Sequence, residues 1–300
     1  MAATAASTVR GDRARAERSS SRLARALSHG PLNAFLLFIA LLWLVPSVGL
    51  LITSFRTNAE YSQSGWWTAL TSPSQLTVSA YRSLLKNPGI LRAFKNTWLI
   101  TVPTTLLVIL IAAMAAYAFA WGRFKGRDGL FLVMIGLLVV PIQIALIPVA
   151  RLFANLGIFG SIVGVVLFHV GFGLPFAIFL LRNFFVGIPY ELLEAARMDG
   201  ASEFRIFFRL ILPLGLPAIA ALGIFQFMWV WNDLLVALIF LGPGENEPLT
   251  VNLAGLVGRQ GQGWQLITAG GFFTMIVPLL VFLSMQRFFV RGLTAGSVKG

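Results

Sequence analysis

Six apolar segments, each about twenty residues long, limit what this chain can become, because a helix of that length crosses the hydrocarbon core of a bilayer. Of all residues, 57% are hydrophobic and 11% are charged, whereas a soluble domain has about 25% charged residues. The sequence therefore predicts an all-α, polytopic membrane protein with six transmembrane helices. The predicted spans cover residues 35–55, 97–121, 130–150, 162–181, 216–241 and 266–285.

Positive charge is distributed unevenly between the segments that connect these spans. With both termini in the cytoplasm, sixteen of the 23 Lys and Arg residues fall on the cytoplasmic side and seven on the outside. Because cytoplasmic loops carry the excess of Lys and Arg, this orientation is the predicted one. It gives an Arg-rich cytoplasmic tail at residues 1–30, followed by a transmembrane domain at residues 31–300. The arginines lie beside apolar segments rather than along one face, so the net charge of +12 does not indicate nucleic-acid binding.

Several kinds of chemistry are missing from the sequence. No G-x-x-x-x-G-K-[ST] loop is present, so the chain is not expected to bind ATP itself. It has no cysteine and only two histidines, His29 and His169, and no H-E-x-x-H pattern. We therefore expect no metal site, no cofactor in this chain and no catalytic residues.

Two of the predicted spans are interrupted by helix-breaking residues. The third contains VVPIQIALIP and the fourth contains HVGFGLP, which includes His169. Backbone groups freed by proline or glycine at membrane depth must face protein or a cavity. These breaks are as compatible with a transport pathway as with simple kinks, and His169 is more readily explained as a packed, hydrogen-bonded side chain.

The clearest charge inside a predicted span is Asp233, in the segment WVWNDLLV. A carboxylate at that depth requires a partner or water. Aromatic faces beside hydrogen-bonding groups suit a sugar, so the fifth span supplies candidate pathway residues. In the alternative, which the sequence favours slightly, Asn232 and Asp233 bond across helices and hold the bundle together. The candidate pathway residues are Phe227, Trp231, Asn232 and Asp233.

A charged insert at residues 188–213 separates the fourth and fifth spans. Pro189 precedes the helix-forming ELLEAARM, and Gly200 is suited to end that helix in the left-handed conformation. Ser202 is then suited to cap a second helix that runs to Ile211 and ends at Pro213, with the fifth span beginning at Pro217. The prediction is a short helix, a sharp turn and a second helix on the cytoplasmic face.

This insert resembles the cytoplasmic loop of permease subunits of bacterial ATP-binding-cassette (ABC) importers. The family pattern has EAA, then Gly after three residues, then an apolar residue shortly before Leu-Pro. It appears here as Glu194, Ala195, Ala196, Gly200, Leu210, Leu212 and Pro213. The resemblance implies a type-I importer permease fold in which this first helix is a coupling helix that enters a cleft of a separate ATPase. The residues implied to contact the ATPase are Glu194, Ala195, Ala196, Arg197, Asp199, Gly200 and Ala201.

Two further segments resemble carbohydrate importers of the maltose type. WNDLLVAL resembles a segment of those permeases, and RGLTAGSVKG resembles the tail of the second permease of the pair. The likeness covers a core at about residues 94–286 and a C-terminal cytoplasmic tail at residues 287–300. In that tail, Gly296, Val298 and Lys299 are implied to contact the ATPase. GWWTAL and HVGFGLPFAIFLLRNFF are similar to alpha-glucoside-type permeases.

The resemblance implies a plasma-membrane subunit of an ATP-driven sugar importer. Its partners would be a second homologous permease, two ATPase subunits that bind ATP and Mg²⁺, and an external sugar-binding protein. The chief alternative is an ion-coupled secondary transporter, which needs intramembrane ion ligands. Asp233 is the one candidate for such a ligand. A membrane enzyme and a scaffold without a pathway are weaker alternatives.

Overall fold

The computed structural model describes residues 30–260 and 264–295. Two compact units divide the chain, residues 1–77 and 78–300, and each is described by itself. Regular structure in the described residues is helical, which confirms the predicted all-α class. The Arg-rich tail before Gly30 and the predicted ATPase contacts Gly296, Val298 and Lys299 lie outside the described residues.

The first unit consists of one long apolar helix and three short helical segments. Helix α1 (Gly30–Ser54) leaves nearly all of its apolar surface exposed, as a helix facing lipid or another subunit would. After it, the fully buried Arg56 donates to the carbonyl oxygens of Glu60 and Ser64 at 2.8 and 3.0 Å. One buried guanidinium thereby satisfies several backbone acceptors of the following turn. The short segments are α2 (Asn58–Gln63), α3 (Thr68–Thr71) and a 3₁₀ turn (Pro73–Gln75).

Three long helices form the centre of the second unit, and small residues let them approach closely. Helices α5 (Pro88–Trp121), α8 (Ile162–Phe185) and α11 (Leu212–Trp231) pack on one another, and α14 (Trp264–Ala295) packs on α11. Alanine allows close contact between helix backbones inside a membrane bundle. The buried residues at the core include Val108, Ala112, Ala113, Ala116, Ala177, Leu181 and Leu222. The shorter helix α4 (Ser79–Lys86) precedes α5.

The predicted third span at residues 130–150 is wrong as a single helix. The chain forms α6 (Arg127–Leu137) and α7 (Ile142–Asn155), which are bent by 102° at the break between them. Pro141 lies at the N-cap of α7, and a proline disfavours helical backbone in the residue before it. Five single helices are long and apolar enough to span a membrane, and six spans result if the bent pair crosses as one.

The predicted bounds of the fifth span are also wrong, at both ends. Helical structure continues from α10 (Glu203–Ile206) through a π-helical stretch (Phe207–Ile211) into α11, so Pro213 does not end a separate helix. The π-helical stretch ends just before Pro213, with the Leu212 N–H donating to the carbonyl oxygen of Phe207. At the other end, α11 stops at Trp231 and α12 (Leu235–Phe240) follows after a break.

The connection after α12 contains more structure than its turn-forming sequence suggests. Helix α13 (Leu249–Gln260) begins with Leu249, whose N–H donates to Thr97 Oγ1 at 2.9 Å. Asn96 of α5 donates to the carbonyl oxygens of Glu245 and Glu247 at 2.7 and 3.1 Å. These bonds attach the connection to α5.

Candidate functional site: the helix–turn–helix between α8 and α11

Helix α9 (Tyr190–Met198) turns one face into the protein and the other outward. Pro189 precedes the helix, as predicted, and occupies its N-cap position. Leu193 is fully buried against the core, whereas Met198 is 88% exposed and Leu192, Glu194 and Ala195 are exposed as well. An exposed apolar face flanked by a carboxylate is typical of a surface that meets another protein. We call the exposed residues Glu191, Leu192, Glu194, Ala195 and Met198 the outer face of α9.

The turn after α9 has the predicted geometry. Gly200 has φ +76°, and its N–H donates to the carbonyl oxygen of Arg197 at 3.0 Å. The N–H of Ala201 donates to the carbonyl oxygen of Ala196 at 3.0 Å, which closes a left-handed C-terminal cap. Ser202 then accepts from the N–H of Arg205 and caps α10, so the predicted cap is confirmed. A Cβ on Gly200 would have nothing within 4 Å, so its φ, rather than crowding, disfavours other residues there.

A polar network joins α9 to α10 and to the end of α5. Arg197 Nε donates to Glu203 Oε1 at 2.8 Å, and Arg197 Nη1 donates to the Tyr190 hydroxyl at 3.1 Å. The Tyr117 hydroxyl donates to the other oxygen of the Glu203 carboxylate. The hydrogen bond to Glu203 raises the pKa of Arg197 above its already high usual value. We call Tyr117, Tyr190, Arg197 and Glu203 the linking network.

The sequence pointed to Arg197 as an ATPase contact but missed its partners. Its side chain is about one-third exposed and is already paired with Glu203, which leaves part of it available to another protein. Tyr117 lies 86 residues before Glu203 in the chain, so no local pattern relates the two. Asp199 is exposed beside Gly200, and the ATPase-contact role of all these residues stays a prediction.

Two of the candidate pathway residues lie in a buried aromatic cluster. Phe227 is 7% exposed and Trp231 is 1% exposed, and their rings stack with centroids 5.3 Å apart. Trp98 of α5 contacts both rings, and the Trp231 indole donates to the carbonyl oxygen of Thr274 at 3.1 Å. These contacts fasten α11 to α5 and α14. The pathway role of the two residues stays a prediction.

Asp233 lies at the break after α11 and bonds within the protein. Its carboxylate accepts the N–H groups of Val236 and Ala237 at 3.2 and 2.9 Å, and so caps α12. Its Oδ2 lies 3.6 Å from Nε2 of the buried His169 on α8. The Thr250 hydroxyl donates to the Asp233 carbonyl oxygen at 2.6 Å. This is the cross-helix arrangement of the structural alternative, although no pathway role is tested by it.

Asn232 differs from its neighbour, because it is exposed and bonds to its own helix. Its amide donates to the carbonyl oxygen of Met228 at 2.8 Å.

The described residues do not indicate a metal site. Residues 30–260 and 264–295 contain no group of three or more His, Cys, Asp or Glu side chains that could hold an ion.

Comparison with known proteins agrees with this architecture. The chain is 50% identical over 273 residues to the osmoprotective compounds uptake permease protein GgtD of Synechocystis, covering 90% of this chain and 92% of that one. It is 48% identical over 256 residues to the alpha-glucoside transport system permease protein AglG of Rhizobium meliloti, covering 83% and 67%.

Structural comparison leads to the same class of protein. A chain from the crystal structure of a bacterial ABC transporter involved in the import of the acidic polysaccharide alginate superposes with a TM-score of 0.71 at 25% identity, covering 88% of this chain and 97% of that one. The expected permease fold is therefore confirmed. The sequence profile described as "Binding-protein-dependent transport system inner membrane component" matches residues 108–295. The chain thus belongs to the family of inner membrane components of binding-protein-dependent transport systems.

Proposed function

We propose that this chain is one of two permease subunits of an ATP-driven importer and that, with the second permease, it forms the pathway for a sugar. The observation that carries the proposal is the outer face of α9 and its left-handed turn at Gly200, in a chain that belongs to a transport family. A helix that exposes apolar surface next to such a sharp turn suits a cleft in a partner protein.

The sugar class follows from the relatives. AglG is named for alpha-glucoside transport, and AraQ of Halalkalibacterium halodurans, 33% identical over 264 residues, is named for arabinooligosaccharides. Among these two, the higher identity to AglG favours an alpha-glucoside over a pentose oligomer, and GgtD, at 50% identity, is named for osmoprotective compounds. We infer that the cargo is a neutral di- or oligosaccharide delivered by an external binding protein.

The mechanism assigns ATP hydrolysis to separate subunits. The sequence has no phosphate-binding loop, so ATP and Mg²⁺ belong to two ATPase partners. When ATP closes the ATPase pair, α9 moves with it, and the linking network passes the movement to α5 and α10. ATP and the loaded binding protein each favour the outward-open state because each binds that state more tightly.

The proposed orientation places both termini and α9 in the cytoplasm, in accordance with the distribution of Lys and Arg. With the C-terminus on that side, we propose Gly296, Val298 and Lys299 as a second contact with the ATPase. Cysteine labelling tests this orientation directly, because the natural chain contains no cysteine. A single cysteine at Met198 should react with an impermeant reagent from the cytoplasmic side alone.

The decisive experiment is sugar uptake by the reconstituted complex. We expect uptake to require ATP and the binding protein and to survive collapse of the proton and sodium gradients. Uptake that persists without the ATPases but fails without a gradient would instead support the ion-coupled alternative.

Gly200→Arg tests the role of the turn in that complex. We expect it to abolish sugar-stimulated ATP hydrolysis, because the left-handed turn opposes any side chain and a long cation would lie where the ATPase binds. Gly129→Arg is the matched control, since a Cβ there also has nothing within 4 Å but the backbone φ is not positive. Normal coupling in Gly200→Arg would contradict the docking role of α9.

A further inference from the structure

A groove between α8 and α11 combines aromatic surface with one buried polar group. Its cavity is about 280 Å³. It is lined by Phe172, Gly173 and Phe176 of α8 and by Phe225, Gln226 and Trp229 of α11. We call these six residues the aromatic groove. The rings of Phe176, Phe225 and Trp229 are 43%, 48% and 40% exposed, so each presents surface to an occupant.

The groove occupies the side of α11 opposite to the candidate pathway residues. Phe225 and Trp229 are one helical turn apart, and so are Phe227 and Trp231. The second pair is buried against Trp98 and is closed to ligands in this conformation. The first pair faces the groove. The two aromatic pairs of α11 therefore differ in role: the first lines the groove, and the second packs against α5.

The buried polar group is Gln226, which is 4% exposed. Its Nε2 has no hydrogen-bond partner within the described part of the chain. The side chain lies against α8 where Gly173 leaves room, because a Cβ on Gly173 would come within 2.9 Å of both Nε2 and Oε1. A buried amide without a partner is unfavourable unless a ligand or water completes it. Gly173 therefore makes room for the Gln226 side chain, and the unpartnered Nε2 is the group that a polar occupant would satisfy.

We propose that the aromatic groove is a sugar-contact subsite on this chain. The rings pack on the apolar face of a pyranose, and the Gln226 amide, which is buried in this conformation, rotates toward the groove and donates to a sugar hydroxyl. A sugar satisfies both surfaces at once, because it carries C–H faces and a rim of hydroxyls. A lipid chain covers the rings and leaves the amide unpartnered. The inference rests on the proposed function and extends it, since it assigns substrate contact to this subunit.

A neighbouring cavity is lined by apolar residues alone and serves as a comparison for the aromatic groove. It measures about 410 Å³ and lies beside the bend between α6 and α7, sharing Phe172 with the aromatic groove. Its lining residues are Leu137, Leu138, Val140, Val149, Phe153, Leu167, Phe168, Gly171, Phe172 and Pro175. None of these side chains forms a hydrogen bond, so the cavity suits a hydrocarbon chain. The presence of Gln226 distinguishes the smaller groove.

The test uses the complete complex in proteoliposomes with its binding protein, and radiolabelled maltose as the probe, with sucrose and trehalose in parallel. Gln226→Met preserves the length of the side chain and removes the donor, and Trp229→Leu removes a stacking face. We expect each variant to reduce maltose bound to the complex held outward-open by ATP and vanadate by about five- to tenfold, the size of one lost hydrogen bond or ring contact. Sugar transported per ATP hydrolysed should fall as well.

Matched controls separate loss of the subsite from general damage. Gln143→Met removes an exposed amide from α7, and Trp43→Leu removes an exposed indole from α1. Both should bind and transport maltose as the natural complex does. If the groove variants also behave like the natural complex, or lower the yield of assembled complex without changing sugar bound per complex, the groove holds lipid or the second permease and the inference is overturned. A natural complex that moves none of the three sugars contradicts the alpha-glucoside cargo, and one that moves no sugar with ATP and the binding protein present defeats the proposed function itself.

Discussion

Two carboxylates next to helix N-termini have opposite surroundings in this molecule. Glu203 begins α10 in the linking network, with its side chain 59% exposed and Arg197 2.8 Å away. Asp233 caps α12 at the break after α11, with its side chain 12% exposed and the buried His169 3.6 Å away. The first carboxylate joins elements at a surface, and the second joins them inside the bundle.

Because their surroundings differ, the two carboxylates should contribute differently to coupling and to the stability of the fold. An exposed ion pair contributes little to folding because water and salt screen it, so the linking network can be altered without unfolding the chain. A buried carboxylate that accepts backbone N–H groups contributes much more, since its removal leaves those donors without partners. Substitutions at the break should therefore destabilise the fold, whereas substitutions in the network should mainly reduce coupling.

Asp233→Ala should have the largest effect on stability. It removes both carboxylate oxygens that accept the N–H groups of Val236 and Ala237, so we expect a loss of about 2–4 kcal/mol in the free energy of unfolding. Thermal unfolding in detergent measures it. Asn232→Ala is the control, because that exposed amide bonds within its own helix, and it should change the free energy by less than about 0.5 kcal/mol. Equal losses in the two variants would remove the distinction between buried and exposed sites.

Gly200→Ala should have the next largest effect on stability, and it should also reduce coupling to ATP hydrolysis. The Cβ meets no atom, so the cost comes from φ +76° and amounts to about 1–2 kcal/mol. Relaxation of that strain would tilt α9, and sugar-stimulated ATP hydrolysis should fall more than stability does. Gly129→Ala has equal space and no positive φ, so it should leave coupling unchanged and should not lower stability, since alanine favours the helical backbone of α6. Loss of stability with normal coupling would show that the turn only supports the fold.

The local features of these two regions were more predictable than their contacts. Pro189, Gly200 and Ser202 act through their own backbone chemistry, so the helix, turn and cap could be predicted from sequence. The hydrogen bond between Tyr117 and Glu203 depends on packing between segments that are distant in the chain, and no local sequence pattern predicts that packing. The same limit applies to α11, which is apolar on all sides, so its hydrophobic pattern does not say which face meets α5 and which lines the aromatic groove.

The bend between α6 and α7 illustrates an ambiguity of another kind. Pro141 and Pro148 both lie in the segment predicted as a single span, but Pro148 stays inside α7 while Pro141 starts it. Proline is tolerated in a membrane helix when neighbours satisfy the freed groups. Whether a proline bends a helix or breaks it therefore depends on neighbouring helices, and residues 130–150 alone could not decide it.

Trp231→Phe changes the buried aromatic cluster and should destabilise the protein less than Gly200→Ala does. The ring is retained in the aromatic cluster, but the bond to the Thr274 carbonyl oxygen is lost, so we expect about 1 kcal/mol of destabilisation. Trp98→Phe makes the same change in the same cluster at a side chain that is 36% exposed, so it gives a lower limit for the cost of the smaller ring. If Trp98→Phe costs as much as Trp231→Phe, the hydrogen bond between α11 and α14 contributes nothing measurable.

Arg197→Gln should have the smallest effect on stability and a clear effect on coupling. The exposed pair with Glu203 contributes about 0.5 kcal/mol, so the unfolding temperature should barely change. Without it, α9 is held to α10 and α5 less firmly, so sugar transported per ATP should fall several-fold. Arg205→Gln removes an equally charged, exposed residue from α10 outside the network and should leave transport per ATP unchanged.

Raising the salt from about 0.05 M to about 0.5 M should narrow the difference in sugar transported per ATP between the natural complex and Arg197→Gln, because the exposed pair is screened. A difference that salt leaves unchanged would mean that Arg197 acts through direct contact with the ATPase rather than through Glu203.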